Sequence, residues 1–116
     1  MPVTLQALNA PDERDLAELE RLAAEQLDCP SYCRAWQQWL ADPTTVTLYV
    51  ARFNERIVGA VLLAGGEIVG FAVRAATRRR GVGQRMLDLV LAQTSAPVSL
   101  AMNAPTRVFI ERYRAG

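Results

Sequence analysis

The residues best suited to chemistry lie in one basic stretch, residues 77–85, which reads Thr-Arg-Arg-Arg-Gly-Val-Gly-Gln-Arg. The apolar run at 68–73 just before it is typical of a buried strand, and the pattern at 86–91 just after it is typical of a helix. The first amides of a helix have no partner within the helix, and the helix dipole adds positive charge beside them. This order of strand, glycine loop and helix predicts a binding site for a phosphate or pyrophosphate.

Two glycines and four arginines make this stretch suitable for binding an anion. Gly81 and Gly83 carry no side chain, so backbone amides there can approach an anion closely. The guanidinium groups that would match a pyrophosphate belong to Arg78, Arg79, Arg80 and Arg85. The spacing is not that of a Walker loop, because no Lys-Ser/Thr pair follows, nor of a Rossmann loop, because Met86 stands at the third glycine position. The plainer alternative is an ordinary helix start whose surrounding arginines are solvated and bind no ligand.

The whole chain has the composition of an ordinary globular domain. Its 116 residues predict one domain; 51% are hydrophobic, 22% are charged, and the net charge is +1. A nucleic-acid-binding domain is not indicated, because such domains are usually basic overall. The sequence has no run of about 20 apolar residues and no basic-then-apolar secretion signal at its start. We therefore expect no membrane span and a cytoplasmic location.

The chain contains no histidine, which excludes Ser-His-Asp and Cys-His catalysis and any histidine-ligated metal. Its two cysteines, Cys29 and Cys33, are too few for a cysteine zinc site, so we expect no bound metal. In a chain without an export signal we interpret them as reduced thiols, with a redox pair as the alternative.

Periodicity and turn residues predict nine elements in the order β, α, α, β, β, β, α, β, α. The predicted strands are 3–8, 45–53, 57–63, 67–74 and 97–102, and the predicted helices are 16–27, 32–41, 82–94 and 105–113. The strand at 45–53 alternates, with Val46, Leu48 and Val50 on one face and Thr47, Tyr49 and Ala51 on the other. A turn at 54–56 makes this strand and the next a hairpin.

The loop spacing Arg78-x-x-Gly81-x-Gly83 resembles the Gln/Arg-x-x-Gly-x-Gly/Ala signature of the GNAT superfamily of N-acetyltransferases, and the element order matches as well. The resemblance implies an α/β (α+β) fold with a mixed, mostly antiparallel sheet flanked by helices, and acetyl-CoA or coenzyme A as cofactor. It implies that the pyrophosphate is held by Arg78, Arg79, Arg80, Gly81, Val82, Gly83, Gln84 and Arg85. It implies that the pantetheine arm pairs with the main chain of Phe71, Ala72 and Val73. Superfamily members normally continue into two more strands; we expect either that these strands are missing here or that the sequence is cut before them.

Direct acetyl transfer to an amine needs orientation, a base for the amine and an acid for the departing thiolate. Glu67 lies fourteen residues before Gly81, similar to the general-base glutamate of histone acetyltransferases in this superfamily. Desolvation there would raise its pKa toward a useful range. Tyr113 resembles the tyrosine that protonates the thiolate in many members. The plainer interpretations are a polar strand-end residue for Glu67 and a packing or surface tyrosine for Tyr113.

A narrower resemblance covers roughly residues 48–92. The segments Ala-Arg-Phe-Asn-Glu-Arg at 51–56 and Thr-Arg-Arg-Arg-Gly-Val-Gly-Gln at 77–84 closely resemble the PanZ (PanM) family of acetyl-CoA sensors. The resemblance implies a regulator that binds the aspartate 1-decarboxylase zymogen and promotes the self-cleavage that creates its pyruvoyl group, controlling pantothenate biosynthesis. It places Asn54 against the decarboxylase, with Arg52 and Phe53 beside that contact. The plainer interpretation of Asn54 is a turn former.

Three hypotheses follow from these residues. The first is a PanZ-like, acetyl-CoA-dependent regulator. The second is an active N-acetyltransferase that uses Glu67 and Tyr113 on an unidentified amine. The third is an interaction module that has lost CoA binding, which the arginine cluster disfavours because unneutralised like charges repel. An exposed strand edge at 97–102 is compatible with a dimer or a hetero-complex.

Overall fold

The fold is seen in a computed structural model that describes residues 3–26, 29–75, 81–93, 97–99, 102 and 104–115. The strands in this part of the chain are β1 (Thr4–Ala7), β2 (Thr47–Phe53), β3 (Arg56–Ala64) and β4 (Glu67–Val73). The helices are α1 (Glu13–Ala24), α2 (Pro30–Ala41), α3 (Val82–Gln93) and α4 (Ala104–Ala115). Each of these helices has 12 residues. Within the described ranges, no helix has the length and hydropathy of a membrane span.

Helices α1 and α2 begin at residues that suit a helix start. The Asp12 carboxylate caps α1 by accepting a hydrogen bond from the amide of Asp15 at 2.8 Å. Helix α2 begins at Pro30, two residues before the predicted start, because proline has no amide to satisfy and its fixed φ suits the first helical position.

The four strands form an antiparallel sheet in the order β1-β2-β3-β4. Asn54 and Glu55 join β2 to β3, and both have positive φ, at 52° and 67°, as a two-residue hairpin turn of type I′ requires. Gly65 and Gly66, at 59° and 78°, form the turn between β3 and β4. The predicted hairpin and the predicted fold class, a mostly antiparallel sheet flanked by helices, are confirmed.

Each face of the sheet carries its own hydrophobic core. Helices α1 and α2 cover one face with Leu19, Leu22, Tyr32, Ala35, Trp36 and Trp39. Helices α3 and α4 cover the other with Val82, Met86, Leu87, Val90 and Ile110. Leu48 and Val50 of β2 lie in the first core, whereas Ala51 lies in the second with Tyr49 packed against it, so the predicted alternation of this strand is confirmed.

The predicted strand at 97–102 is wrong in extent. In the part of this segment that the structure describes, only Val98 pairs, through a parallel bridge to Ile68 at the outer edge of β4. The Ile68 amide donates to the Pro97 carbonyl at 2.8 Å, and the Ser99 amide donates to the Ile68 carbonyl at 2.9 Å. Pro97 has no amide to extend a ladder, so the regular pairing stays short.

Gly59 is expected to be the least replaceable glycine of the sheet. A Cβ there would overlap Met86 Sδ and lie 2.8 Å from the Ala72 carbonyl oxygen, which belongs to the fixed backbone of β4. We expect Gly59→Ala to destabilise the fold by about 2 kcal/mol, because overpacking forces neighbouring strands apart. Urea unfolding followed by circular dichroism measures this, and an unchanged free energy of unfolding would contradict the tight packing of α3 on the sheet.

Candidate cofactor-binding site

The predicted anion site lies where β4 ends and α3 begins. Gly81 has a φ of 75°, and its carbonyl accepts the amide of Arg85 at 3.1 Å in the first turn of α3. The amides of Val82, Gly83 and Gln84 precede that first helical bond, and no acceptor for them is found in the described part of the chain. Arg78, Arg79 and Arg80 lie outside the described residues. The site thus presents free amides at the positive end of a helix.

Helix α3 is held in place by the side of its first turn that faces the sheet. Val82 is 2% exposed, and it is followed at helical spacing by the buried residues Met86, Leu87 and Val90. On the other side of the same turn, Gln84 and Arg85 are exposed. One residue, Val82, therefore anchors the helix through its side chain while its amide belongs to the anion site.

Before it reaches this helix start, β4 carries a β-bulge. Ile68 pairs with Leu63 and Gly70 with Leu62, so Val69 is an extra residue that bulges from β4. A bulge bends its strand and interrupts pairing. Beyond it, no bridge to residues 97–99 or 102 is found. Along the second half of β4, on the side toward α3, we infer a space for a ligand, which we call the wedge.

The main chain of β4 faces this wedge at alternate residues. The Arg74 amide donates to the Val58 carbonyl of β3 at 2.8 Å, which fixes the alternation. By that alternation Ala72 turns its main-chain groups toward Ala60 of β3, whereas Phe71 and Val73 turn theirs toward the wedge. Of the three β4 residues predicted to contact pantetheine, Ala72 has its main-chain groups turned toward β3, and Phe71 and Val73 have theirs turned the other way. The contact itself stays a prediction.

Phe109 of α4 forms a wall of the wedge that sequence reasoning missed. Its ring centroid lies 6.4 Å from that of Phe71, with the planes tilted by 51°, and the side chain is 40% exposed. A Cβ at Gly83 would lie 3.7 Å from Val73 Cγ2 and 3.8 Å from Phe109 Cζ. The sequence offered one indication of this role, which is a phenylalanine on the polar side of a short helix.

Gly83 should show opposite effects on stability and on cofactor binding. A methyl group fits at ordinary contact distance in this helical position, so we expect Gly83→Ala to stabilise the fold by about 0.5–1 kcal/mol. The same methyl would stand in the wedge beside the amide, and we expect it to weaken coenzyme A binding about 10-fold, about 1.4 kcal/mol. Thermal unfolding and calorimetric titration measure the two effects. A stabilised variant with unchanged affinity would show that the ligand does not approach this amide.

The two predicted catalytic side chains do not gather at the wedge mouth. Glu67 is exposed at the first position of β4 and lies about 20 Å from Val73 along the strand, by the usual rise per residue. The burial that would make it an effective base is therefore not observed. Tyr113 is half-buried and packs against the second core, one turn beyond Phe109. These environments fit the plainer interpretations given above.

Two carboxylates of α1 bind the β2–β3 hairpin at residues next to its turn. The Arg52 guanidinium pairs with Asp15 through two hydrogen bonds of 3.1 Å and donates to Gln6 Oε1 at 3.0 Å. Glu18, 7% exposed, accepts the amide of Ile57 at 2.9 Å. The Arg52 guanidinium is thus bonded within the chain, whereas the turn that follows it, Asn54 and Glu55, is exposed.

A third carboxylate on the same helix holds the start of the basic loop. Glu25, which follows α1 directly, accepts the amide of Ala75 through Oε1 at 2.9 Å, and its Oε2 lies 3.5 Å from Arg74 Nε. Asp15, Glu18 and Glu25 recur at spacings that put them on one side of the helix. One surface of α1 therefore ties the hairpin and the loop to the same end of the sheet.

The fold, an antiparallel sheet with helices on both faces, defines a member of the GNAT acetyltransferase fold class. More narrowly, residues 2–110 match the family described as "Acetyltransferase (GNAT) domain, PanZ". The chain belongs to this PanZ family.

The most similar proteins agree with this assignment. Two curated relatives are both named PanD regulatory factor. The one from Salmonella typhimurium is 38% identical over 85 residues, 66% of this chain and 65% of the relative. The one from Escherichia coli is 52% identical over 48 residues, 38% of each chain. This chain therefore matches less than two thirds of their length. A solution NMR structure of YhhK from E. coli, determined with coenzyme A bound, has a TM-score of 0.65 at 27% identity and covers 99% of this chain and 89% of its own.

Proposed function

We propose that this protein binds acetyl-CoA and, in that state, binds the aspartate 1-decarboxylase zymogen and promotes its self-cleavage. The cofactor's pyrophosphate lies on the amides of Val82, Gly83 and Gln84, with Arg85 and the loop residues Arg78, Arg79 and Arg80 neutralising its charge. The pantetheine arm enters the wedge and pairs with the main chain of Phe71 and Val73. The family match and the coenzyme A in the related NMR structure support this cofactor.

The observation that carries the regulatory role is the common position of the hairpin and the loop. Arg74, at the start of the loop, donates its amide to Val58, only two residues inside the first residue of β3. At about 3.3 Å per residue, the hairpin tip lies roughly 10 Å from Arg74, where the loop begins. A partner seated on the hairpin would therefore also meet the bound cofactor, which makes partner binding dependent on CoA.

Within the hairpin, Asn54 is the residue proposed to touch the partner. It is exposed at the tip, whereas Phe53 packs partly against the second core and Arg52 is held by Asp15. Arg52 and Phe53 therefore shape and stiffen the tip. Glu55 shares the left-handed turn with Asn54 and provides a built-in comparison.

Catalytic acetyl transfer is the competing function, and the site supports it less well. Glu67 is exposed at the far end of β4, and the ring that faces Phe71 across the wedge belongs to Phe109, which has no hydroxyl to protonate a thiolate. The GNAT fold of the neighbouring structures is common to regulators and enzymes and favours neither function.

A mixing experiment distinguishes the two functions. The purified protein, acetyl-CoA and the unprocessed decarboxylase of the same organism are combined, and cleavage of the decarboxylase chain is followed by mass spectrometry. We expect cleavage to accelerate only when both the protein and acetyl-CoA are present. Unaccelerated cleavage, together with CoA release in an amine screen that Glu67→Gln abolishes, would favour the enzyme instead.

A further inference from the structure

A small cleft lies on the opposite face of the sheet from the α3 anion site. It has a volume of about 110 Å³ and is open to solvent on one side. One wall is a stripe of α2 and the other is the β4 bulge with the segment bridged to it. The lining residues are Ser31, Arg34, Ala35, Gln38, Val69 and Ser99. The spacing of the α2 residues puts them on one side of that helix.

The α2 wall of this cleft is made of hydrogen-bond donors. Ser31 is 8% exposed, and its hydroxyl has no partner within the described residues. Arg34 makes no ion pair there, and Gln38 has only a long contact of 3.5 Å with the Thr45 hydroxyl. None of the described lining residues is acidic. An orphaned buried hydroxyl is costly unless a ligand or water satisfies it.

We infer that this cleft binds a carboxylate. An arginine fork, a serine hydroxyl and a glutamine amide together offer donors to both oxygens of a carboxylate, and arginine matches its planar geometry. Ser31 lies in the first turn of α2, where the helix dipole favours a negative group, and no side-chain cap from Cys29 competes there. The carboxylate is that of a small free acid or that of a polypeptide C-terminus, since both present the same two oxygens.

The binding test uses the full chain, ¹⁵N-labelled, at constant ionic strength. Sodium acetate, N-acetylalanine and N-acetylalanine amide are titrated in parallel, with sodium chloride as the blank. We expect acetate to shift the amide signals of Ser31, Arg34 and Ser99 and to leave α3 unchanged. Binding of N-acetylalanine, but not of its amide, would assign the site to a chain end, whereas binding of acetate alone would assign it to a small acid. If neither acid shifts these signals at concentrations up to 50 mM, roughly the weakest dissociation constant expected of a specific site, the inference is wrong.

Two variants separate binding from structure. Because the Ser31 hydroxyl has no partner, we expect Ser31→Ala to leave the melting temperature unchanged or raise it, yet to weaken acetate binding about 5-fold. Arg34→Gln should weaken acetate binding about 10-fold, as loss of a charged donor does. Arg21→Gln, an equal charge change on exposed α1 surface, should have no effect. If Arg34→Gln and the wild type are both folded and bind acetate with equal affinity, the assignment is wrong. None of these results depends on CoA or the decarboxylase.

Discussion

Gly81→Asp is expected to weaken coenzyme A binding about 100-fold while the domain stays folded. Gly81 has a φ of 75°, and a Cβ there meets nothing within 4 Å, so the new carboxylate would stand free beside the α3 amides. At about 5 Å from a pyrophosphate and an effective dielectric constant near 20, charge repulsion amounts to about 3 kcal/mol. Isothermal titration calorimetry measures the loss. Adding Arg79→Glu should bring binding below detection.

Gly81→Asn is the matched control for this change. Asparagine and aspartate have nearly the same shape and share a tolerance for left-handed φ, so both variants should lose about 1 kcal/mol of stability. Only aspartate adds a negative charge, and we expect Gly81→Asn to bind within a few-fold of the wild type. Equal losses for both variants would mean that loop shape, not charge, decides binding. Unchanged affinity for Gly81→Asp would remove the anion site from this loop.

Asn54→Gly is expected to raise the protein concentration needed to activate the decarboxylase zymogen about 30-fold while leaving CoA binding intact. Asn54 has a φ of 52°, which glycine adopts readily, so the hairpin keeps its turn and loses only the side-chain amide. Central interface side chains often contribute about 2 kcal/mol, which would weaken the complex roughly 30-fold. Cleavage of the zymogen at saturating acetyl-CoA, measured over a range of protein concentrations, reports this loss.

Glu55→Gly provides the comparison within the same turn. Its φ is 67°, so glycine again preserves the backbone, and the exposed side chain it removes is not assigned to the contact. We expect this variant to accelerate cleavage as the wild type does. If both variants act alike, the contact does not depend on the Asn54 amide, and the hairpin would have to act through its backbone or through Arg56.

The sequence predicted the order of the elements well, because each has a local signal. The alternation in β2 and the turn after it both depend on neighbouring residues, and both are confirmed. The predicted strand at 97–102 failed for a non-local reason, since its extent depends on how far β4 runs beside it. Among the described residues this pairing is the single bridge from Ile68 to Val98, next to the bulge at Val69, and the local sequence does not predict that bulge.

Contacts between distant parts of the chain explain what the sequence missed at the site. Nothing in the spacing of Asp15 and Arg52 predicts their paired hydrogen bonds, and nothing near Glu25 predicts its bond to the Ala75 amide. Phe109 lies 38 residues from Phe71 and meets it only because α3 and α4 share a face of the sheet. The sequence indicated which loop to propose for the cofactor, but not the helix that joins the start of this loop to the hairpin.

Linkage makes the proposed dependence on CoA quantitative. If acetyl-CoA tightens decarboxylase binding by a given factor, the decarboxylase must tighten acetyl-CoA binding by the same factor. The α1 carboxylates connect the two sites structurally, since they hold the hairpin at one end of the helix and the loop at the other.

The most direct measurement is a titration of the ¹⁵N-labelled protein with coenzyme A, followed through its backbone amide signals. The account predicts that Gly83 and Gln84 shift most, downfield as expected for amides that gain a charged acceptor, with Phe71 and Val73 following. Desulfo-coenzyme A should reproduce these shifts, and pantetheine should move only the β4 signals. If coenzyme A saturates the protein while Gly83 and Gln84 stay in place, the pyrophosphate is held elsewhere and the proposed site is wrong.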